Sequence, residues 1–200
     1  ATNDNDILAR TLSGGVYETR GVVETTSPSM DIQVSSNFER LIYEASGRNA
    51  ETVVRAMQGL KQAGRFAVPE GTLEAIRRDF DAGRSTIDET AATIRSVLAG
   101  TGYLIDPHTA TAVKVARETR RGKAPMVVLS TAHPAKFPAA VEAACGTRPA
   151  LPAWLGDLIE REERYTVLPS DPKMVEDHIS RLTRVASGAA SKPVQARSGS

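Results

Sequence analysis

Apolar side chains recur every three or four residues along most of the chain, which is the spacing of one face of an α-helix. Residues that cap helices, such as asparagine, aspartate or threonine, precede several of these stretches, and glycine follows several of them. The pattern predicts helices over residues 7–12, 38–46, 49–64, 72–81, 86–100, 107–119, 138–144, 151–160 and 171–185.

Strands are predicted where apolar residues run together without helical spacing. The run Met126-Val127-Val128-Leu129 is typical of a strand buried on both faces, although a buried helix segment has the same pattern. Shorter strands are expected around 21–23 and over 66–68, where Pro69 closes an edge strand. We therefore expect an α/β fold with a mixed sheet flanked by helices, from which residues 49–94 depart as a mainly helical excursion.

A polar loop follows the predicted central strand. Ser130, Thr131 and His133 lie between this strand and the helix predicted at 138–144. In open parallel sheets, ligands bind at the loops beyond the carboxyl ends of strands, so these side chains are candidates for a binding site. The alternative is that they only satisfy backbone groups or cap the next helix.

Three further polar stretches are candidates for ligand contacts. Residues 3–6, Asn-Asp-Asn-Asp, offer more polar side chains than one helix cap needs. Residues 27–37 form a long polar loop with a few apolar anchors, which is the kind of loop that often carries function. Asp106 and His108 open the helix at 107–119, where the simplest interpretation is a capping aspartate and an exposed first-turn histidine.

Composition argues against several classes of partner. The 200 residues carry a net charge of +1, with acidic and basic residues interspersed, which gives no case for nucleic acid or an anionic membrane. No apolar run approaches the length of a membrane span. Cys145 is the one cysteine, so no internal disulfide is possible and a cytoplasmic location is favoured.

The two ends of the chain differ from its middle. The chain opens without methionine, in what looks like the middle of an element, so we expect a fragment that lacks upstream sequence. Residues 186–200 are rich in glycine, serine and alanine and poor in apolar residues, and they are predicted to be a disordered tail.

Several motifs together resemble one enzyme family. ATNDND at 1–6, YLIDPHTA at 103–110 and LSTAHPAKF at 129–137 resemble threonine synthase of the bacterial and fungal longer-chain type, and SPSMDIQVSSNFERL at 27–41 fits the same comparison. The order and spacing of the motifs make the resemblance specific, and it covers about residues 1–185.

The resemblance implies a fold and an activity. Threonine synthases are pyridoxal-phosphate enzymes of the tryptophan-synthase-β fold, also called fold type II, and they convert O-phospho-L-homoserine and water to L-threonine and phosphate. Residues 1–185 would then be the carboxyl-terminal portion of the catalytic domain.

The resemblance also implies roles for individual residues. Thr131 resembles the residue whose hydroxyl meets the pyridine nitrogen of the cofactor, and Ser130 is a neighbouring hydroxyl that could take the same role. Asp106 and His108 match a loop near the cofactor ring. A neutral hydroxyl at the ring nitrogen leaves the ring a milder electron sink than a carboxylate would. The substrate side would be lined by Asn3, Asn5, Asp6, Ser29, Asp31 and Asn37.

The departure from the family pattern is large. The Schiff-base lysine and the glycine-rich loop for the cofactor phosphate lie upstream of the position that matches Ala1, and Lys136 is not the matching lysine. No catalytic residue is therefore expected in this chain, and we expect it to be inactive alone. Two alternatives stay open, namely another lyase of the same fold, such as threonine dehydratase, and a non-catalytic interaction or regulatory module. The complete DPHTA and TAHPAKF strings argue against the dehydratase.

Overall fold

Helices make up most of the structure. In the computed structural model residues 1–183 are described, so the tail predicted at 186–200 and the last two residues of the helix predicted to reach 185 lie outside the described residues. The helices are α1 (Ile7–Gly14), α2 (Phe38–Ala45), α3 (Ala50–Ala63), α4 (Glu70–Asp79), α5 (Ile87–Thr101), α6 (Pro107–Thr119), α7 (Pro138–Cys145) and α8 (Pro172–Leu182). Among the described residues, none of them is both long and apolar enough to cross a membrane.

The helix ends lie close to where the capping residues predict them. Asn49 accepts hydrogen bonds from two backbone N–H groups in the first turn of α3. Thr86 and Glu89 form a reciprocal capping box at the start of α5. The predicted bounds of α6 are confirmed, with Asp106 as its N-cap. Gly146 ends α7 in the left-handed conformation, with φ of 73°.

A first hydrophobic core forms between α1, α2, α3, α4 and a small sheet. Strands β1 (Val16–Glu18) and β2 (Arg65–Ala67) pair antiparallel, with Tyr17 opposite Phe66. The ring of Tyr17 stacks on the rings of Phe38 and Phe66, with centroid distances of 5.5 and 4.9 Å. Burial raises the pKa of Tyr17, whose hydroxyl oxygen accepts a hydrogen bond from the Ser35 N–H. The buried residues of this core are Ile7, Tyr17, Phe38, Ile42, Ala56, Phe66, Val68, Leu73 and Ile76.

The two short strand predictions have different outcomes. The edge strand predicted at 66–68 is confirmed one residue earlier, as β2. The strand predicted around 21–23 is wrong, because Val22 and Val23 are exposed and the Val23 N–H donates to the side chain of Asn5. The strand forms at 16–18 instead, where Tyr17 points inward between two outward-facing neighbours and pairs with Phe66.

A second core forms between α5, α6 and α7. Its buried residues are Ile94, Val97, Ile105, Ala110 and Ala144. Arg95 on α5 donates to the carbonyl oxygen of Ala144 at 2.8 Å. A cation at the carboxyl end of a helix is favourable because the unpaired carbonyls there carry partial negative charge, so this contact helps to hold α7 against α5.

The opening residues connect to both cores. The Thr2 N–H donates to the carbonyl oxygen of Gly83 at 3.0 Å, and the Ser85 N–H donates to the Thr2 carbonyl oxygen at 2.9 Å. These bonds hold the chain start against the connection between α4, in the first core, and α5, in the second. A Cβ atom on Gly83 would lie only 2.9 Å from Cγ1 of Val115, so α6 packs directly on this backbone.

The predicted central strand does not form within residues 1–183. Residues 126–129 have no regular secondary structure, and the side chains of Val127 and Leu129 are 79% and 73% exposed. A strand requires a neighbour to pair its N–H and C=O groups, and the two strands in the described part of the chain pair with each other. The mixed sheet is therefore wrong for residues 1–183, whose sheet is two-stranded and antiparallel. The helical excursion predicted at 49–94 was defined as a departure from a central sheet. Because no such sheet forms within residues 1–183, the excursion stays a prediction.

Two units divide the chain, Ala1–Pro152 and Ala153–Ser200. In the second unit, the helix predicted at 151–160 is replaced by two 3₁₀ turns, Ala153–Leu155 and Leu158–Glu160. Gly156 lies between them, where a flexible backbone disfavours a continuous helix. Asp171 caps α8 by accepting the Lys173 N–H at 2.8 Å.

The carboxylate of Glu89 is expected to stabilise the start of α5 in a pH-dependent way. It accepts the Thr86 N–H at 2.8 Å and lies 3.2 Å from Nζ of Lys114, and these contacts hold the pKa of Glu89 below its usual 4.5. Replacing Glu89 by alanine should lower the free energy of unfolding by roughly 0.3–1 kcal/mol, towards the lower end because the side chain is half-exposed. A lowered folded pKa means that the contribution is complete above the usual value and is lost as the pH falls through the folded pKa.

Urea unfolding of the parent and of Glu89→Ala at neutral and at acidic pH measures this difference. Glu118→Ala is the matched control, since Glu118 also pairs with Lys114, at 2.9 Å, but caps no helix. An equal loss in both variants, or a loss for Glu89→Ala that persists in acid, would contradict the assignment.

Candidate functional site

A cleft of about 540 Å³ lies beside α6 in the first unit. One wall is apolar and consists of α6 side chains, including Val115 and Ala116, together with residues 126–129. Polar groups reach the cleft from three predicted site residues, which are Ser29, His108 and Thr131. The fold thus brings together candidates from three separate stretches of the sequence.

Asp106 lies behind this cleft and is fully buried, with 0% exposure. Its carboxyl oxygens accept the backbone N–H groups of His108 and Thr109 at 2.9 and 3.2 Å. They also bond to Nδ1 of His108, at 2.8 Å, and to the hydroxyl of Thr109. The predicted cap is therefore confirmed, and the side chain is occupied by contacts within the chain.

His108 is buried at the edge of the cleft, so the simpler alternative of an exposed first-turn histidine is wrong. Its Nδ1 faces Asp106, and its Nε2 lies 3.3 Å from the backbone nitrogen of Ser29. The ring of Phe137 packs beside the imidazole, with 4.7 Å between centroids. Tertiary contacts from two other segments therefore cover this residue, although its position in the first turn favoured exposure.

The three polar residues after the apolar run occupy different places. Thr131 is exposed and lines the cleft. Ser130 lies to the side, with its hydroxyl oxygen 3.4 Å from that of Thr109. His133 shapes the loop, because its Nδ1 accepts the Ala135 N–H at 3.1 Å and caps the turn Pro134–Lys136. Thr131 thus lines the cleft, whereas Ser130 contacts the start of α6 and His133 contacts its own loop.

Asn3 is part of a buried hydrogen-bond cluster that supports the other wall of the cleft. It is 2% exposed, and its Nδ2 lies 2.7 Å from Oδ1 of Asp31, 2.8 Å from the Thr25 hydroxyl and 3.0 Å from the Ser27 hydroxyl. Asp31 also accepts the backbone N–H of Thr25, at 2.9 Å. The cluster therefore fixes the loop on both sides of the Pro28–Met30 turn.

Asn5 extends the same cluster towards residue 23. Its Nδ2 donates to the Val23 carbonyl oxygen at 2.8 Å and to Oδ1 of Asp31 at 3.0 Å, and its Oδ1 accepts the Val23 N–H at 2.9 Å. Every buried polar side-chain atom in residues 1–183 has a hydrogen-bond partner. The amides of Asn3 and Asn5 accordingly face inward, and they determine where Ser29 lies.

Two predicted site residues lie apart from the cleft. Asp6 pairs with Arg10 at 2.7 Å and lies 3.8 Å from Arg84. Asn37 accepts a hydrogen bond from Arg40 within α2. Neither side chain lines the cleft beside α6.

Sequence reasoning missed three participants, Thr25, Ser27 and Thr109. Thr25 and Ser27 belong to a Thr-Thr-Ser-Pro run, and serine or threonine before proline often bonds to nearby backbone groups. That signal indicates local turn contacts but gives no hint of Asn3 or Asp31. Thr109 is three residues beyond an aspartate cap, where a contact with the cap is common. Its contact with Asp106 could therefore have been predicted from the sequence.

Comparisons with known proteins give a consistent result. The family model described as threonine synthase, C-terminal, matches residues 109–179. The threonine synthase of Pseudomonas aeruginosa is 48% identical over 183 residues, which cover 90% of this chain and 39% of the relative. The crystal structure of PLP-bound threonine synthase from Brucella melitensis has a TM-score of 0.84 and 66% identity, over 90% of this chain and 39% of that one. The yeast threonine synthase structure has a TM-score of 0.74 and 33% identity.

Over the matched 90% of this chain, the fold is thus that of part of the solved threonine synthases. The chain is similar to threonine synthases and matches their carboxyl-terminal region. These matches cover 90% of this chain. The chain spans only about 39% of the length of the curated relatives.

Asp31 is expected to be the residue on which the buried cluster most depends. Replacing it by alanine leaves the Thr25 N–H without its acceptor and removes one of the acceptors of the amides of Asn3 and Asn5. An unsatisfied buried polar group costs about 1–3 kcal/mol, so Asp31→Ala should lower the free energy of unfolding by at least that much. Urea denaturation measures the loss, and hydrogen exchange at the Thr25 amide should become faster.

Glu24→Ala is the control for Asp31→Ala, since it removes an exposed carboxylate from the same loop. If both variants unfold at the same urea concentration as the parent, the cluster does not stabilise the loop.

Proposed function

We propose that this chain supplies the carboxyl-terminal part of the active site of a threonine synthase, which converts O-phospho-L-homoserine and water to L-threonine and phosphate. The observation that carries the proposal is the cleft beside α6, where Ser29, His108 and Thr131 converge in a chain 48% identical to a known threonine synthase. Since the chain spans 39% of that relative, the activity is proposed for the intact enzyme.

The cleft has features that fit pyridoxal phosphate on its ring side. Its apolar wall, with Val115, Ala116 and residues 126–129, suits the faces of a flat heteroaromatic ring. The exposed hydroxyl of Thr131 can donate a hydrogen bond to a pyridine nitrogen. When bound, this cofactor supplies the electron sink for reactions at the carbon next to the amino group of the substrate.

The remaining cofactor-side candidates support this position. Asp106 holds the start of α6, and Ser130 lies near that start, by Thr109. His108 lines the cleft itself. Because Thr131 is a neutral hydroxyl, it does not hold the ring nitrogen protonated as a carboxylate would, and this favours elimination over reactions that need a stronger electron sink.

On the substrate side we propose two kinds of role, direct contact with the substrate and support of the loop that makes this contact. Ser29 offers its exposed hydroxyl to the cleft, and Asn3, Asn5 and Asp31 act from behind by holding the loop that carries it. The part of Asp6 and Asn37 in substrate binding rests on the family resemblance, since both lie apart from this cleft.

The proposed fold is type II, in which residues 126–129 become a strand of the larger sheet when a neighbouring strand pairs with them. Their unbroken apolar sequence and high exposure in residues 1–183 support this proposal. We place the enzyme in the cytoplasm on the argument from the single cysteine of this chain.

An activity assay tests the proposed function. The complete gene product that contains this chain should release phosphate from O-phospho-L-homoserine and form threonine in equal amounts. The 200-residue chain alone should release none, because the cofactor lysine of the family has no counterpart in it. Formation of 2-oxobutyrate from threonine by the complete product would favour a dehydratase instead, and turnover by the 200-residue chain would contradict the dependence on upstream residues.

Thr131→Val tests the cofactor contact. Valine keeps the shape of threonine and removes the hydroxyl, and loss of one hydrogen bond to a buried acceptor costs about 1–3 kcal/mol. The expected result is a loss of about tenfold to a hundredfold in rate or cofactor affinity. Steady-state kinetics and cofactor absorbance of the complete gene product measure both quantities.

Ser130→Ala is the matched control for Thr131→Val and should have much less effect. Full activity in Thr131→Val together with a large loss in Ser130→Ala would move the contact to Ser130. If both variants behave like the parent, this loop does not contact the cofactor.

A further inference from the structure

The imidazole of His108 connects two parts of the fold that are 79 positions apart in sequence. Its Nε2 lies 3.3 Å from the backbone nitrogen of Ser29, and its Nδ1 lies 2.8 Å from Oδ2 of Asp106. A backbone N–H can only donate, so Nε2 must be the acceptor in the contact with Ser29. A ring nitrogen that accepts carries no proton, so the proton of the neutral ring is on Nδ1, from which it is donated to Asp106.

We propose that His108 is a positioning residue, which as the neutral Nδ1–H tautomer holds the Pro28–Met30 turn, and with it the Ser29 hydroxyl, at the edge of the cleft. Both ring nitrogens are occupied by these contacts, so His108 acts on a ligand through Ser29. Asp106, in turn, selects the tautomer, because its Oδ2 takes the Nδ1 proton.

The surroundings of the ring support this role. Phe137 packs against the imidazole at 4.7 Å and belongs to the segment that follows Thr131. The Asn3 and Asp31 cluster anchors the loop on either side of the turn, at Ser27 and Asp31. The His108 contact is made to Ser29 itself, so it controls the one residue of the turn whose hydroxyl is proposed to meet the substrate.

The tautomer can be measured directly. In the complete gene product labelled with ¹⁵N-histidine, at neutral pH, long-range ¹H–¹⁵N spectra should show a histidine in the Nδ1–H pattern, and this signal should be absent in His108→Gln. An Nε2–H pattern for His108, or rapid averaging of the two forms, would overturn the proposal.

Two substitutions separate the two contacts of the ring. Glutamine places its amide oxygen near the position of Nε2 and can still accept from Ser29, whereas asparagine places its amide near Nδ1 and reaches only Asp106. Hydrogen exchange at the Ser29 amide should therefore be faster in His108→Asn than in His108→Gln. The opposite order, or equal exchange in both variants, would overturn the positioning role.

Kinetics of the complete gene product test the consequence for the site, and this part rests on the proposed function. His108→Asn should raise KM for O-phospho-L-homoserine by about fivefold to tenfold, as expected for the loss of a hydrogen bond that orients a binding group. His108→Gln should recover most of that loss, and the effect should fall on KM more than on kcat. A fall in kcat alone, equal in both variants, would contradict the role. Failure of the parent to turn over would instead refute the proposed function, and the tautomer and exchange measurements would still decide the positioning role.

Discussion

The arrangement of residues around the cleft depends on the hydrogen bonds of the Asp106 carboxyl group. It is fully buried and accepts hydrogen bonds from two backbone N–H groups at the start of α6, from the His108 ring and from the Thr109 hydroxyl. The same side chain therefore begins a helix and orients the histidine that reaches the Pro28–Met30 turn. A group with all its acceptor sites used inside the fold contributes rigidity, and the exposed hydroxyls of Ser29 and Thr131 are left for a ligand.

A second set of buried polar groups extends this rigidity to the chain start. Asn3, Asn5 and Asp31 bond one another and the loop between β1 and α2, and Thr2 bonds the connection between α4 and α5. Polar groups removed from water are costly when unpaired, so a cluster in which each member is satisfied favours a single loop conformation. The cleft is thus bounded by α6 on one side and by a loop held from behind on the other.

The apolar run at 126–129 shows what pairing contributes to a strand. Its residues have the composition of a buried strand, yet in the described part of the chain they are largely exposed and unpaired. Strand hydrogen bonds are made to another segment, so a correct apolar pattern cannot produce a sheet without that segment. The TM-score against a solved threonine synthase is 0.84 although residues 126–129 form no strand.

The sequence by itself determined helices α1 to α8 and most of their ends, although the helix predicted at 151–160 does not form. Asn49, Thr86, Asp106 and Gly146 act within four residues of their own positions, so their caps could be read without knowledge of the rest of the fold. Four motifs in order also predicted the family, and Thr131 was predicted at the site and lies at the cleft.

Only the tertiary structure decided how the site is assembled. The bond between His108 and Ser29 joins residues 79 positions apart, and Asn3 meets Asp31 across 28 positions. Such contacts depend on how helices pack, and no local preference of either residue encodes them. For the same reason Asn3 and Asn5, which by sequence alone were equal candidates with Ser29, are buried supports, while Ser29 is exposed at the cleft.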